Sequence, residues 1–150
     1  MATLDVAAFQ PVTGGQSSHA LFAAGNPGTT LTGAAKLSQR FTMELLTSPG
    51  SMTYLPARGT NWATLISGNR LFSEFDAFAA FAEAVIQAGI NLQEEETDDD
   101  PDDERFASAE LTQLSLEPGQ IVATIRIHNL ANQSNVVTLP VTITPREIGV

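Results

Sequence analysis

The fold is decided by the alternation in Ile121-Val122-Ala123-Thr124-Ile125-Arg126-Ile127-His128. Every odd position is apolar, so the segment reads as a strand with one face on a core. Just upstream, Glu117-Pro118-Gly119-Gln120 fits a type II turn, with Pro second and Gly third. That turn leads back to a strand over Phe106 to Leu116. Its apolar parity slips between Leu111 and Leu114, which predicts a β-bulge. After a polar loop from Asn129 to Asn135, Val137, Leu139, Val141 and Ile143 form a third alternating run. Pro140 within it has no backbone N–H to give to a ladder, so this strand is expected at a sheet edge. Three strands in chain order make a meander.

Upstream of Phe106 the apolar period is 3.6. The strongest helix runs from Glu74 to about Gln87, with an outer limit at Glu96. Ser73-Glu74-Phe75-Asp76 has the form of a capping box with Asp in the fourth place. Phe75, Phe78, Ala82, Val85 and Ile86 are read as its core-facing stripe, flanked by Phe72 and Phe81, with Asp76, Glu83 and Gln87 opposite. Gly89 costs about 1 kcal/mol relative to Ala inside a helix, so it marks an end or a weak point. A second helix spans about Gly33 to Thr47, capped by Thr32 and striped with Ala34, Leu37, Phe41, Leu45 and Leu46. Ser48-Pro49-Gly50 stops it, and a short helix follows over Trp62 to Ile66. Residues 1–31, broken by Gly14-Gly15 and Gly25-Asn26-Pro27-Gly28, read as an extended N-terminal arm. Residues 32–150 read as a single α+β domain: two main helices followed by a three-stranded antiparallel meander.

The 150 residues carry 7 Lys and Arg against 17 Asp and Glu, a net charge of −10. Nine of those acids fall in residues 94–104, Glu-Glu-Glu-Thr-Asp-Asp-Asp-Pro-Asp-Asp-Glu; elsewhere eight acids face seven bases. The domain is therefore almost neutral, with an acidic connector between helix and meander. Like charges at this density favour a solvated, disordered connector. Scattered bases exclude a phosphate-backbone binder, so no nucleic-acid partner is expected. No apolar run is read as approaching the roughly 20 residues needed to cross a bilayer, so no membrane partner is expected either. The N-terminus lacks the pattern of a signal peptide. With no cysteine in the sequence, disulfides, thiolate catalysis and Cys-ligated metals are excluded, which fits a reducing cytosol.

Catalytic constellations are sparse. His19 and His128 lie in a Ser-rich loop and at a strand end, neither with metal-ligand spacing. Setting Asp98, Asp100 and Asp102 at the first three ligand positions of a calcium loop puts Asp103 where Gly is needed. The same alignment puts Ala109 where the bidentate Glu belongs. Glu44 has no identifiable carboxylate mate for hydrolysis, and no nucleophile elbow, phosphate loop or dinucleotide fingerprint appears. The chain is expected to be no enzyme, with no catalytic residues, cofactor or metal.

Three segments then point to a family: Leu37-Ser-Gln-Arg-Phe41, Leu45-Leu-Thr-Ser-Pro-Gly-Ser51 and Tyr54-Leu-Pro-Ala-Arg-Gly-Thr60. Together they resemble the baseplate sheath-initiator (wedge) family of contractile phage tails. In that family a Gln-bearing helix ending Leu-Leu-Thr leads to a Gly turn and a Tyr/Phe-x-Pro-x-x-Gly segment. The resemblance extends in outline over residues 31–144. Relatives often carry Glu-Pro-Arg after the long helix; here Glu104 and Arg105 adjoin without the Pro, leaving Arg105 as a candidate docking residue. The resemblance implies a virion protein of the tail baseplate, assembled in the host cytoplasm. Its partners would be baseplate wedge proteins, tail tube or hub proteins, and the tail sheath protein, whose first ring it would template. The predicted meander supplies a route, since an edge strand offers backbone groups to an added strand. The residues expected to serve are Val137, Leu139, Pro140, Val141 and Ile143. Alternatives are another tail connector or completion protein, a cell-wall glycan hydrolase, or a calcium- or partner-binding module at 94–104.

Overall fold

A computed structural model of the chain describes residues 5–6, 30–67, 74–117 and 120–142. Two short strands, β1 (Asp5–Val6) and β2 (Thr30–Leu31), pair antiparallel, Asp5 opposite Leu31. Helices α1 (Gly33–Leu46), α2 (Trp62–Ser67) and α3 (Glu74–Glu95) follow. Strands β3 (Phe106–Glu117), β4 (Gln120–Asn129) and β5 (Ser134–Thr142) form one antiparallel sheet in chain order. The α+β meander expected from the sequence is the fold observed. Ser73, Pro118-Gly119, Phe72, Ile143 and His19 lie outside the described residues.

The sheet register explains its sequence. β4 is the central strand and places Ile121, Ala123, Ile125 and Ile127 in the core. The β3–β4 register shifts between Leu111 and Gln113, leaving Thr112 as the extra residue. Leu111 and Leu114 can thereby face the same side although their parity differs. A second shift lies between Phe106 and Ser108. β5 is an edge strand, as Pro140 required, with Pro140 opposite Val122.

α1 and α3 cover one face of this sheet. Leu37, Phe41 and Leu45 of α1 are buried as the 3.6 period demands, while Leu46 is exposed. α3 runs through Gly89 to Glu95, within the outer limit read from the sequence, and differs from that reading in its buried face. A Cβ at Gly89 would come within 2.5 Å of the Phe106 ring. The glycine is a seat for that ring, which stacks on Phe41 with centroids 5.8 Å apart. Its buried face is Ala77, Phe81, Ala84, Val85, Ala88 and Leu92; Phe75, Phe78 and Ile86 are exposed. The predicted stripe is thus corrected: only Val85 and the flanking Phe81 are fully in the core, with Ala82 packed at its margin. The helix carries two apolar faces, and the alanines on one let it approach the sheet closely.

From Phe75 to Glu95, α3 is also long and apolar enough to cross a bilayer, which the sequence reading did not register. About 44% of that window is buried inside the domain, so the helix lies on the core along one face and is exposed along the other. Trp62 of α2 closes the core at the far side, edge-on to Phe81 at 4.5 Å.

Candidate functional site

The open side of β5 is the candidate site, and the register divides its residues. Leu139 is buried and Val137 packs against the core, opposite Ala123 and Ile125 of β4. On the other face Val136 is exposed and Thr138 and Pro140 are half-buried. Val141 pairs with Ile121. Val137 and Leu139 therefore hold the edge in place from beneath, and the side chains offered outward are those of Val136, Thr138 and Pro140. Of the alternating run read from the sequence, Val137 and Leu139 thus form the inward set, and Pro140 belongs to the outward one.

What fixes the edge is a set of buried ion pairs between distant elements. Asn135 at the start of β5 donates from Nδ2 to Ser38 Oγ of α1 at 3.1 Å. α1 in turn is anchored by Glu104. Thr32 sits at the N-cap with extended backbone but makes no side-chain cap bond. The cap is Glu104, whose Oε1 accepts from Gly33 N–H at 3.3 Å and whose Oε2 pairs with Lys36 Nζ at 2.8 Å. Glu104 is only 3% exposed, and Arg40 Nη1 donates to its carbonyl at 3.2 Å. A carboxylate at a helix N-terminus gains from the exposed N–H groups and the helix dipole.

The acidic tract is thus not a uniformly solvated connector, which corrects the sequence expectation. Glu94 and Glu95 complete α3, and Glu96 accepts the Phe106 N–H on both oxygens at 2.8 and 2.9 Å. Burial raises the Glu96 carboxyl above its ordinary value, against that hydrogen bond and the nearby Arg40. Thr97 N–H donates to Asp100 and lowers its carboxyl. Arg105, the candidate docking residue, reaches back to Asp98 at 3.1 Å and toward Asp102 at 3.9 Å. Its carbonyl accepts from Leu130 N–H. It therefore ties the tract to the β4–β5 loop, while its partly exposed guanidinium meets the exposed carboxylates of Asp98 and Asp102.

A second network joins α1, the loop after it and α3. Glu44 accepts from Arg58 Nε and Nη2 at 3.0 and 2.7 Å, Gly59 N–H at 2.8 Å and Asn91 Nδ2 at 2.7 Å. Burial alone would raise the Glu44 carboxyl, but the bonds from Arg58, Gly59 and Asn91 outweigh it and hold it low. Its bond to Glu44 raises the Arg58 guanidinium, against burial, and Arg58 also meets Glu95 at 2.8 Å. Gly59 has φ of +102°, and a Cβ there would lie 2.4 Å from the Thr47 carbonyl oxygen. Only glycine fits the loop that brings Arg58 to Glu44. Nothing local in the sequence marks Glu44 as buried, since its partners lie 14 to 47 positions away.

Beside this network a cleft of about 280 Å³ is lined by Ala57, Thr60, Leu65, Ala80, Glu83 and Gln87, among others. Among the described residues no group of three His, Asp or Glu side chains could hold a metal ion. Chemically, the arrangement offers a sheet-edge strand seated on an ion-paired base. No protein-family model, no curated protein and no solved structure matches this chain.

Proposed function

We propose that this protein is a structural part of a contractile phage-tail baseplate that templates the first ring of tail sheath by strand addition. The observation that carries the reading is β5, a nine-residue strand at the edge of the three-stranded sheet. Strand addition draws affinity from main-chain hydrogen bonds and specificity from alternate side chains. Pro140 adds register. It has no N–H, and proline is tolerated in a ladder where the missing donor faces the open side. An incoming sheath strand would then meet an acceptor without its donor at this one position. The motif resemblance in residues 37–60 supports the same assignment, as does the order of two helices and a meander. Wedge and tube or hub proteins would meet other surfaces of the domain, and no catalytic step or cofactor enters the role.

The test is seeding. Purified chain mixed with tail sheath protein should shorten the lag of sheath polymerisation, and short sheath rings should be visible by electron microscopy. Val136→Pro removes one more N–H from β5 on the exposed face with little change to the core face, and should abolish seeding with the melting temperature nearly unchanged. If Val136→Pro seeds as well as the parent chain, addition at β5 is wrong. If the parent chain neither binds nor seeds sheath protein, the baseplate reading itself fails.

A further inference from the structure

The sheet has two edge strands, β3 and β5, and their backbones are not alike. Successive residues of a strand turn their N–H and C=O groups to opposite sides, so alternate residues face away from the paired strand. Two bonds fix the phase on β3. Leu130 N–H donates to the Arg105 carbonyl, while the N–H of Phe106, next along the chain, turns the other way to Glu96. Followed through the register, Phe106, Ala109, Leu111, Leu114 and Leu116 direct their backbone groups away from β4. The intervals between them are three, two, three and two residues, because Ala107 and Thr112 are each one residue extra to the pairing. A strand added there alternates strictly at two, so it cannot match more than two of these positions in succession. The first position is also taken, since Glu96 already accepts the Phe106 N–H at 2.8 and 2.9 Å.

On β5 the same reasoning gives a regular edge. Asn129 N–H donates to the Gln133 carbonyl, so the odd-numbered residues of β4 and β5 exchange their bonds. Ser134, Val136, Thr138, Pro140 and Thr142 then direct their backbone groups away from β4, and every interval is two. Pro140 keeps its carbonyl acceptor and lacks only the N–H. We infer that the sheet accepts an added strand at β5 alone, one per chain, and that the bulges at Ala107 and Thr112 close β3. This rests on the strand addition proposed above, and adds to it the edge and the number. Bulges are one of the devices by which natural sheets keep an edge strand from pairing. The same shift at Thr112 lets Leu111 and Leu114 both reach the core, so one extra residue serves both ends. A chain built this way starts a row of strands and cannot join two rows.

Amide hydrogen exchange of the full chain, with and without tail sheath protein, tests this. Sheath protein should slow exchange at Val136 at least about tenfold and leave Ala109, Leu111, Leu114 and Leu116 as they are in the free chain. Deletion of Thr112 brings those four β3 residues to a uniform interval of two. In that variant sheath protein should protect them as well as Val136. Deletion of Ala107 together with Glu96→Ala aligns Phe106, Ala109 and Leu111 and releases the Phe106 N–H. It repeats the test at the other bulge should the first deletion fail to fold, as judged by circular dichroism and Trp62 fluorescence. Sheath-dependent protection at β3 of the parent chain overturns the proposal. So does a folded deletion variant that is protected at β5 alone. If sheath protein slows neither edge of the parent chain, the baseplate reading itself fails and takes this inference with it.

Discussion

Glu44 and Glu96 show how burial can push two carboxylates of one domain in opposite directions. Both lose water, which favours the protonated form. Glu44 recovers more than it loses, through Arg58, Gly59 and Asn91; Glu96, with one N–H shared between its oxygens, does not. The consequence for pH follows from linkage. Glu44 titrates in the fold below its ordinary value of 4.5, so its contribution is present above that pH. It is lost as the pH falls through the lower, folded value. Glu96 titrates above its ordinary value, so acidification relieves part of the cost of burying its charge. Glu44→Gln should therefore lower stability by about 2 kcal/mol at neutral pH. In urea titrations, that difference should close as the pH is taken below 4.5. A loss that stays constant through the whole acid range in which the chain remains folded would contradict this account. None of it is legible near position 44, because the sequence there shows only a helical Glu.

Among elements, α3 shows where periodicity stops informing. A helix over these residues follows from the 3.6 spacing, and so does its apolar character. The face that meets the sheet does not, since two stripes satisfy the same period. Packing chose the one with Ala77, Ala84 and Ala88, whose small side chains let α3 sit close to β3 and α1. Gly89 belongs to the same choice. Gly89→Ala should gain about 1 kcal/mol in helix propensity yet lose more, because the new methyl meets Phe106. Overpacking of this kind costs typically 1–3 kcal/mol. A net destabilisation by chemical denaturation is expected; a more stable variant would show that Phe106 moves aside freely. The strand elements were easier to read, because a period of 2 with a core on one face admits only one register. Even the bulge at Thr112 was foreshadowed by a parity slip.

For the whole molecule, one cluster of buried side chains draws on α1, α2, α3 and all three strands of the meander. The ion pairs Lys36–Glu104 and Arg58–Glu44 tie segments 68 and 14 residues apart. Unfolding should accordingly be a single transition. The sequence's one tryptophan, Trp62, is fully buried against Phe81, so its fluorescence and the far-UV circular dichroism should change together on heating. Separate midpoints would divide the helices from the meander. The sequence by itself determined the class of fold, the order of its elements, the bulge and the edge position of β5. These depend on local periodicity and on proline's missing N–H, both of which act within a few residues. Only the tertiary structure decided which face of α3 is buried and that Glu104 caps α1. Those outcomes depend on which distant groups share a low-dielectric interior, and spacing along the chain carries no record of it.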